Sequence, residues 1–188
     1  MSFNASGAAL LLALSVAAQV AQAEDHMPLI FEDFQSTPET RWGYVADGVM
    51  GGVSQGQAQM VHSDGFAAVR LSGQVSTDNN GGFIQVRRDI EPGAFADAQG
   101  LRITARGNGE TYYVFLRTEG LARVWYSYRF SFVAPADWTT IDMDFADFNA
   151  SHAEMPQSFD PAQLRRVGLV AYGRDHEADL TVRAISLY

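Results

Sequence analysis

From Leu29 onward, apolar and polar positions alternate, and the alternation returns in runs of strand length. A period of two puts successive side chains on opposite faces of a pleated strand, so each run can bury one face. LIFEDF (Leu29–Phe34), WGYVADGV (Trp42–Val49), QAQMVH (Gln57–His62), AAVRLSGQVS (Ala67–Ser76) and GFIQVRRDI (Gly82–Ile90) come first. GLRITARG (Gly100–Gly107), TYYVFLRT (Thr111–Thr118), VWYSYRFSFV (Val124–Val133), WTTIDMDFADF (Trp138–Phe148), LRRVGLVAYG (Leu164–Gly173) and ADLTVRAISLY (Ala178–Tyr188) complete the series. Turn signals, S-D-G and D-N-N-G-G among them, separate the runs. Strands this short and this closely spaced, rich in β-branched and aromatic residues, predict an all-β fold, an antiparallel sandwich. Helical signal is confined to one turn over Pro92–Gly100 and a short helix within Ser158–Arg166, with Asp160 as N-cap and Pro161 at the first helical position.

The same alternation sorts the side chains. In the second run Trp42, Val45 and Val49 are available to the core. In TYYVFLRT, Val114 and Leu116 share one face, and Tyr113, Phe115 and Arg117 share the other. In VWYSYRFSFV, Val124, Tyr126, Tyr128, Phe130 and Phe132 oppose Trp125, Ser127, Arg129 and Ser131, which reads as an aromatic core under a solvent-facing arginine.

The first 23 residues change the picture, because they are not strand-like. An apolar run from Ala8 to Val20 ends in Ala21-Gln22-Ala23, the small-x-small pattern of a signal-peptidase site, although the segment before it carries no Lys or Arg. The run falls short of the ~20 residues a membrane-spanning helix needs. We therefore expect a cleaved leader at 1–23, a single domain at 24–188, a periplasmic or secreted location, and no membrane insertion after cleavage. The chain has no cysteine, so the core alone must hold the fold.

A formal charge of −9 argues against nucleic acid, whose binding rests on neutralised phosphates. All basic residues are arginine. No spacing supports zinc, and no cofactor is expected. Asp142, Asp144 and Asp147 form a carboxylate row that reads as a charged strand edge.

The stretch DGVMGGVSQG (Asp47–Gly56) contains G-V-S-Q-G, the G-x-S-x-G of a nucleophile elbow. An elbow needs a helix after the serine. Here a strand pattern comes next, and no histidine is well placed to act as base. A phosphate loop fails as well, since its lysine is missing. A tight turn is left, with Gly51-Gly52 permitting the reversal. The chain is therefore not expected to be an enzyme.

Three blocks, WGYVADGVMGGVSQG (Trp42–Gly56), VSTDNNGGFIQVR (Val75–Arg87) and GLRITARGNGETYYVFLRT (Gly100–Thr118), resemble the complex I intermediate-associated protein 30 family. The run ending at Phe148 and LRRVGLVAYG add weaker support. The resemblance implies a galactose-binding-like jelly-roll β-sandwich and a non-enzymatic role. Mitochondrial members look like assembly chaperones for NADH:ubiquinone oxidoreductase. They act from the matrix, whereas an exported relative faces the other side of its membrane. Jelly rolls of this type often carry a structural calcium, to which Asp33 or Asp47 could contribute.

Candidate binding residues are Trp42, Asp47, Met50, Asn79, Asn80 and Arg117, which lie in or beside the matching blocks and offer an aromatic platform, a carboxylate, amides and a guanidinium fork. Two accounts of Asp47 and Asn79 stay open: they face a groove where the two glycine-rich loops meet, or they hydrogen-bond their own turns. The expected partner is a protein, such as a respiratory membrane complex or an assembly intermediate. The alternative is a periplasmic glycan, betrayed by an exposed coplanar aromatic pair.

Overall fold

The computed structural model describes residues 29–188, so the expected leader at 1–23 lies outside the described residues. Twelve strands form: β1 (Leu29–Glu32), β2 (Gly43–Ala46), β3 (Gln55–Ser63), β4 (Phe66–Val75), β5 (Phe83–Asp89), β6 (Gly100–Gly107), β7 (Thr111–Thr118), β8 (Tyr128–Val133), β9 (Thr139–Asp144), β10 (Asn149–Ala150), β11 (Leu164–Tyr172) and β12 (His176–Leu187). They pair antiparallel into two six-stranded sheets. Sheet I runs β3-β4-β12-β6-β9, with β1 added to β12; sheet II runs β10-β8-β7-β11-β5-β2.

Alternation decides which side chains fill the space between the sheets. Val69, Leu71, Leu101, Ile103, Leu180 and Val182 reach in from sheet I. Val114, Leu116, Tyr128, Val86, Ile84 and Leu169 reach in from sheet II. The turn between β3 and β4 is the S-D-G signal itself. Ser63 pairs with Phe66, and Asp64 and Gly65 both take positive φ (53° and 83°), as a two-residue hairpin requires.

Several boundaries differ from the sequence pattern, for local reasons. In the second run Tyr44 and Ala46 pack on the core beside Trp42, while Val45 takes the other side and Val49 is 75% exposed. The chain leaves the strand at Asp47 for a 3-10 turn, which shifts the phase of the residues after it. The run at Val124 pairs only from Tyr128, so Val124 and Trp125 are exposed loop residues. The Trp138–Phe148 run stops pairing at Asp144 and breaks into another 3-10 turn. Pro92–Gly100 is a succession of turns anchored by buried Phe95 and not a helical turn. The helix expected in Ser158–Arg166 is a 3-10 turn over Pro161–Gln163, whose N-cap Asp160 accepts from the Ala162 amide at 2.9 Å. The carboxylate row does sit at an edge, on β9 and just beyond it, with Asp142 bound to Arg102 and Asp144 accepting from the Tyr188 hydroxyl.

Candidate functional site

The glycine-rich loops meet, and Asp47 is where they meet. Its side chain is fully buried. Oδ1 accepts from the Ser54 amide at 3.0 Å; Oδ2 accepts from the Ser54 hydroxyl at 2.5 Å, the Gly82 amide at 2.6 Å and the Phe83 amide at 3.2 Å. Burial alone would push this carboxyl up, but the donors from Ser54, Gly82 and Phe83 outweigh it and hold the pKa below its usual 3.8. Two of the flanking glycines, Gly52 and Gly81, are explained by the same carboxylate. A Cβ on Gly52 would lie 2.4 Å from Asp47 Cγ, and one on Gly81 2.5 Å from Oδ2. Gly51, at φ 92°, and Gly82, at φ 124°, serve backbone conformation instead.

Ser54 is therefore a strut. Its hydroxyl donates to Asp47 and accepts from the Ser76 amide at 2.9 Å, and strand β3 starts at the next residue where an elbow would need a helix. Asp47 does not suit calcium, because its oxygens already face donor hydrogens. Asp33 accepts locally from the Gln35 amide. Among the described residues no three His, Asp or Glu side chains converge on a metal position.

Trp42 is 5% exposed, and its indole N–H donates to Glu32 Oε2 at 2.8 Å. Glu32, itself 2% exposed, also accepts from Arg41, Arg88 and the Phe34 amide. Asn79 and Asn80 are exposed turn residues in the left-handed region, at φ 56° and 57°. Met50 is 57% exposed at the tip of the 3-10 turn. The structure thus gathers Asp47, Met50, Asn79 and Asn80 at one rim, with the Asp47 side chain turned inward. Arg117 is not among them. Its cross-strand neighbours lie at the Asp89 end of β5, and Phe83 marks the rim end, six residues or roughly 20 Å away.

Arg117 belongs instead to the outer face of sheet II. Register aligns Arg129, Phe115, Gly168 and Arg87 in one row, Tyr113, Val170 and Gln85 in the next, and Arg117, Arg166 and Asp89 on the opposite side of the first. Tyr113, Phe115 and Tyr172 cluster edge to face with centroids 5.4–5.9 Å apart. Arg129 lies over the rings of Phe115 and Tyr172 at 4.5 and 4.7 Å. The outer face of sheet I is different. Arg70, Arg102 and Arg106 are each closed on a carboxylate, Asp179, Asp142 and Asp64, at 2.5–2.9 Å, and Arg70, Arg106 and Asp179 line a depression of about 490 Å³.

The alternation of TYYVFLRT and VWYSYRFSFV reveals Tyr113, Phe115, Arg117 and Arg129, but not Arg87, Arg166 and Tyr172. Each of the first two sits in an Arg-Arg pair (Arg87-Arg88, Arg165-Arg166), and only the strand register decides which member faces out.

Among solved structures, this sandwich is similar in fold to jelly-roll-like carbohydrate-binding modules. The family 11 module of a cellulosomal cellulase of Clostridium thermocellum aligns with TM-score 0.72 and 14% identity over 86% of this chain and 94% of that one. The family 11 module from Clostridium thermocellum in complex with a β-1,3-1,4-mixed-linked tetrasaccharide gives TM-score 0.71 and 15% identity over 85% and 94%. A family 30 module from Clostridium thermocellum gives 0.50 and 13% over 72% and 91%. At these identities the likeness is one of fold. No curated protein matches the sequence. The family model of complex I intermediate-associated protein 30 matches residues 31–182, which include every strand from β2 to β11. The chain belongs to the complex I intermediate-associated protein 30 family.

Proposed function

We propose that this chain is a non-catalytic binding module, a galactose-binding-like jelly roll that holds a protein partner through the outer face of sheet II. It would act as an assembly factor or chaperone for a respiratory membrane complex, from the exported side. One observation carries the reading. Arg87, Arg117, Arg129 and three aromatic rings share that face, while Arg70, Arg102 and Arg106 of sheet I are each closed on a carboxylate. Tyrosine and arginine on a rigid surface are the side chains that interface hot spots favour. Family membership supports a protein partner. The engagement of the Ser54 hydroxyl supports a non-catalytic role.

Photo-cross-linking in cells tests this. A benzophenone amino acid replacing Ser131, on the outer face of sheet II, is expected to form adducts with subunits of a membrane complex. The same probe replacing Gln59, on the outer face of sheet I, is expected to form none. Adducts from neither position, or equally from both, would remove the reading.

The second reading is a glycan ligand, favoured by likeness in fold to a module solved with a tetrasaccharide. The rings speak against it. Tyr113 and Tyr172 stand at 87°, and Arg129 lies over the rings of Phe115 and Tyr172, on which a pyranose would stack. Glycan-array binding that disappears in Tyr113→Ala and Tyr172→Ala would install it.

A further inference from the structure

Strand register places Arg117 of β7 directly opposite Arg166 of β11. Arg166 faces Asp89 on β5, and Arg87 lies two residues along β5 on the same side of the sheet. No carboxylate among the described residues lies within ion-pair distance of Arg87 or Arg117. The Arg117 guanidinium donates to the Arg123 carbonyl at 3.2 Å. Arg166 does reach Asp89, at 2.7 Å, but that carboxylate is largely exposed, and such pairs contribute little.

Like charges facing each other across a ladder work against the sheet. Burial, together with repulsion from Arg166, holds the pKa of Arg87 and of Arg117 below the usual arginine range. The chain does not lack counter-ions, since it has 22 acidic residues against 13 basic ones. It closes Arg70, Arg102 and Arg106 of sheet I on carboxylates, lays Arg183 over the Phe66 and Trp138 rings, and leaves Arg87 and Arg117 of sheet II open. Asp89 is the one carboxylate among the outward strand positions of sheet II. A cationic cluster kept at a cost to the fold, within an acidic protein, is complementary to an anion supplied from outside.

We propose that Arg87, Arg117 and Arg166 bind an acidic peptide segment of the partner, with Asp or Glu side chains two residues apart on an extended chain. This rests on the outer face of sheet II being the binding face. Neighbouring strands lie about 4.8 Å apart, so three guanidiniums on three strands span about 10 Å, more than one carboxylate can bridge. Carboxylates at i and i+2 of an extended chain are about 7 Å apart and can each take a two-pronged guanidinium contact. An acidic polysaccharide fits less well, because Arg129 covers the rings its sugars would stack on.

The test is fluorescence anisotropy of a labelled peptide of alternating Glu and Gly residues against the full chain, with polygalacturonate and a neutral mixed-linked glucan as competitors. The peptide is expected to bind, more weakly as salt rises. Arg117→Gln and Arg166→Gln should each weaken it about tenfold, the scale of a charge-assisted hydrogen bond. Asp89→Asn should tighten binding, and Arg70→Gln on sheet I should leave it unchanged. The Tm of Arg117→Gln should equal or exceed that of the parent, because repulsion is relieved. Absence of peptide binding, affinity unchanged in both arginine variants, displacement by either glycan, or a lowered Tm in Arg117→Gln would each overturn the proposal. If cross-links from position 131 persist alongside such a result, the acidic segment is lost and the binding face stands. If they vanish too, both fall.

Discussion

A single carboxylate, Asp47, accepts four hydrogen bonds from two segments, the farthest donor, Phe83, lying 36 residues along the chain. Replacing it leaves buried donors unmet, so Asp47→Asn is expected to cost about 3 kcal/mol in urea unfolding. Acid should act through the same group. Asp47 and Glu32 both have pKa values held below the ordinary 3.8 and 4.5, because donated hydrogen bonds outweigh the upward push of burial. A carboxyl depressed in the folded state stabilises above its unfolded pKa, and that stability is lost as pH falls through the folded value. Their contribution should thus be level from about pH 5 upward and decline below about pH 4; thermal melts across this window check it, with the decline shallower in Asp47→Asn. That Asp47 belongs in a turn is readable from D-G-V-M-G-G. That it turns inward is not, because its donors Gly82 and Phe83 arrive from another loop.

At the scale of elements, two glycines of one motif make opposite predictions. A Cβ on Gly48 meets nothing within 4 Å, whereas one on Gly52 collides with Asp47 at 2.4 Å. Gly48→Ala should shift stability by no more than about 0.5 kcal/mol, and Gly52→Ala should lower it by about 2–3 kcal/mol, as forced overpacking does. Denaturant midpoints of the two variants decide between this clasp and a turn that merely needs flexible residues. Period-two alternation makes the strands themselves legible, down to the ends of β6 and β7. It fails where the chain leaves the ladder without leaving the pattern. Val49 and Val124 keep their apolar character but no partner strand, and both are exposed. Pairing is a property of two segments, and a single run of residues carries only half of it.

For the whole molecule, the sequence settles two stacked antiparallel sheets but not which outer face is left open, because that depends on which arginines meet carboxylates across strands. Export is the remaining molecular-scale expectation. Fractionation combined with N-terminal sequencing is expected to find the chain outside the cytoplasm and starting at Glu24; a cytoplasmic chain retaining residues 1–23 would refute it. The strand order bears on this. β12, which follows the other eleven described strands in the chain, lies between β4 and β6 and also receives β1. Sheet I therefore has no middle until the residues of β12 have left the ribosome. Contacts so distant in the chain form slowly. A nascent copy stays loose and threadable until β12 emerges, which is the condition a secretory channel imposes on its cargo.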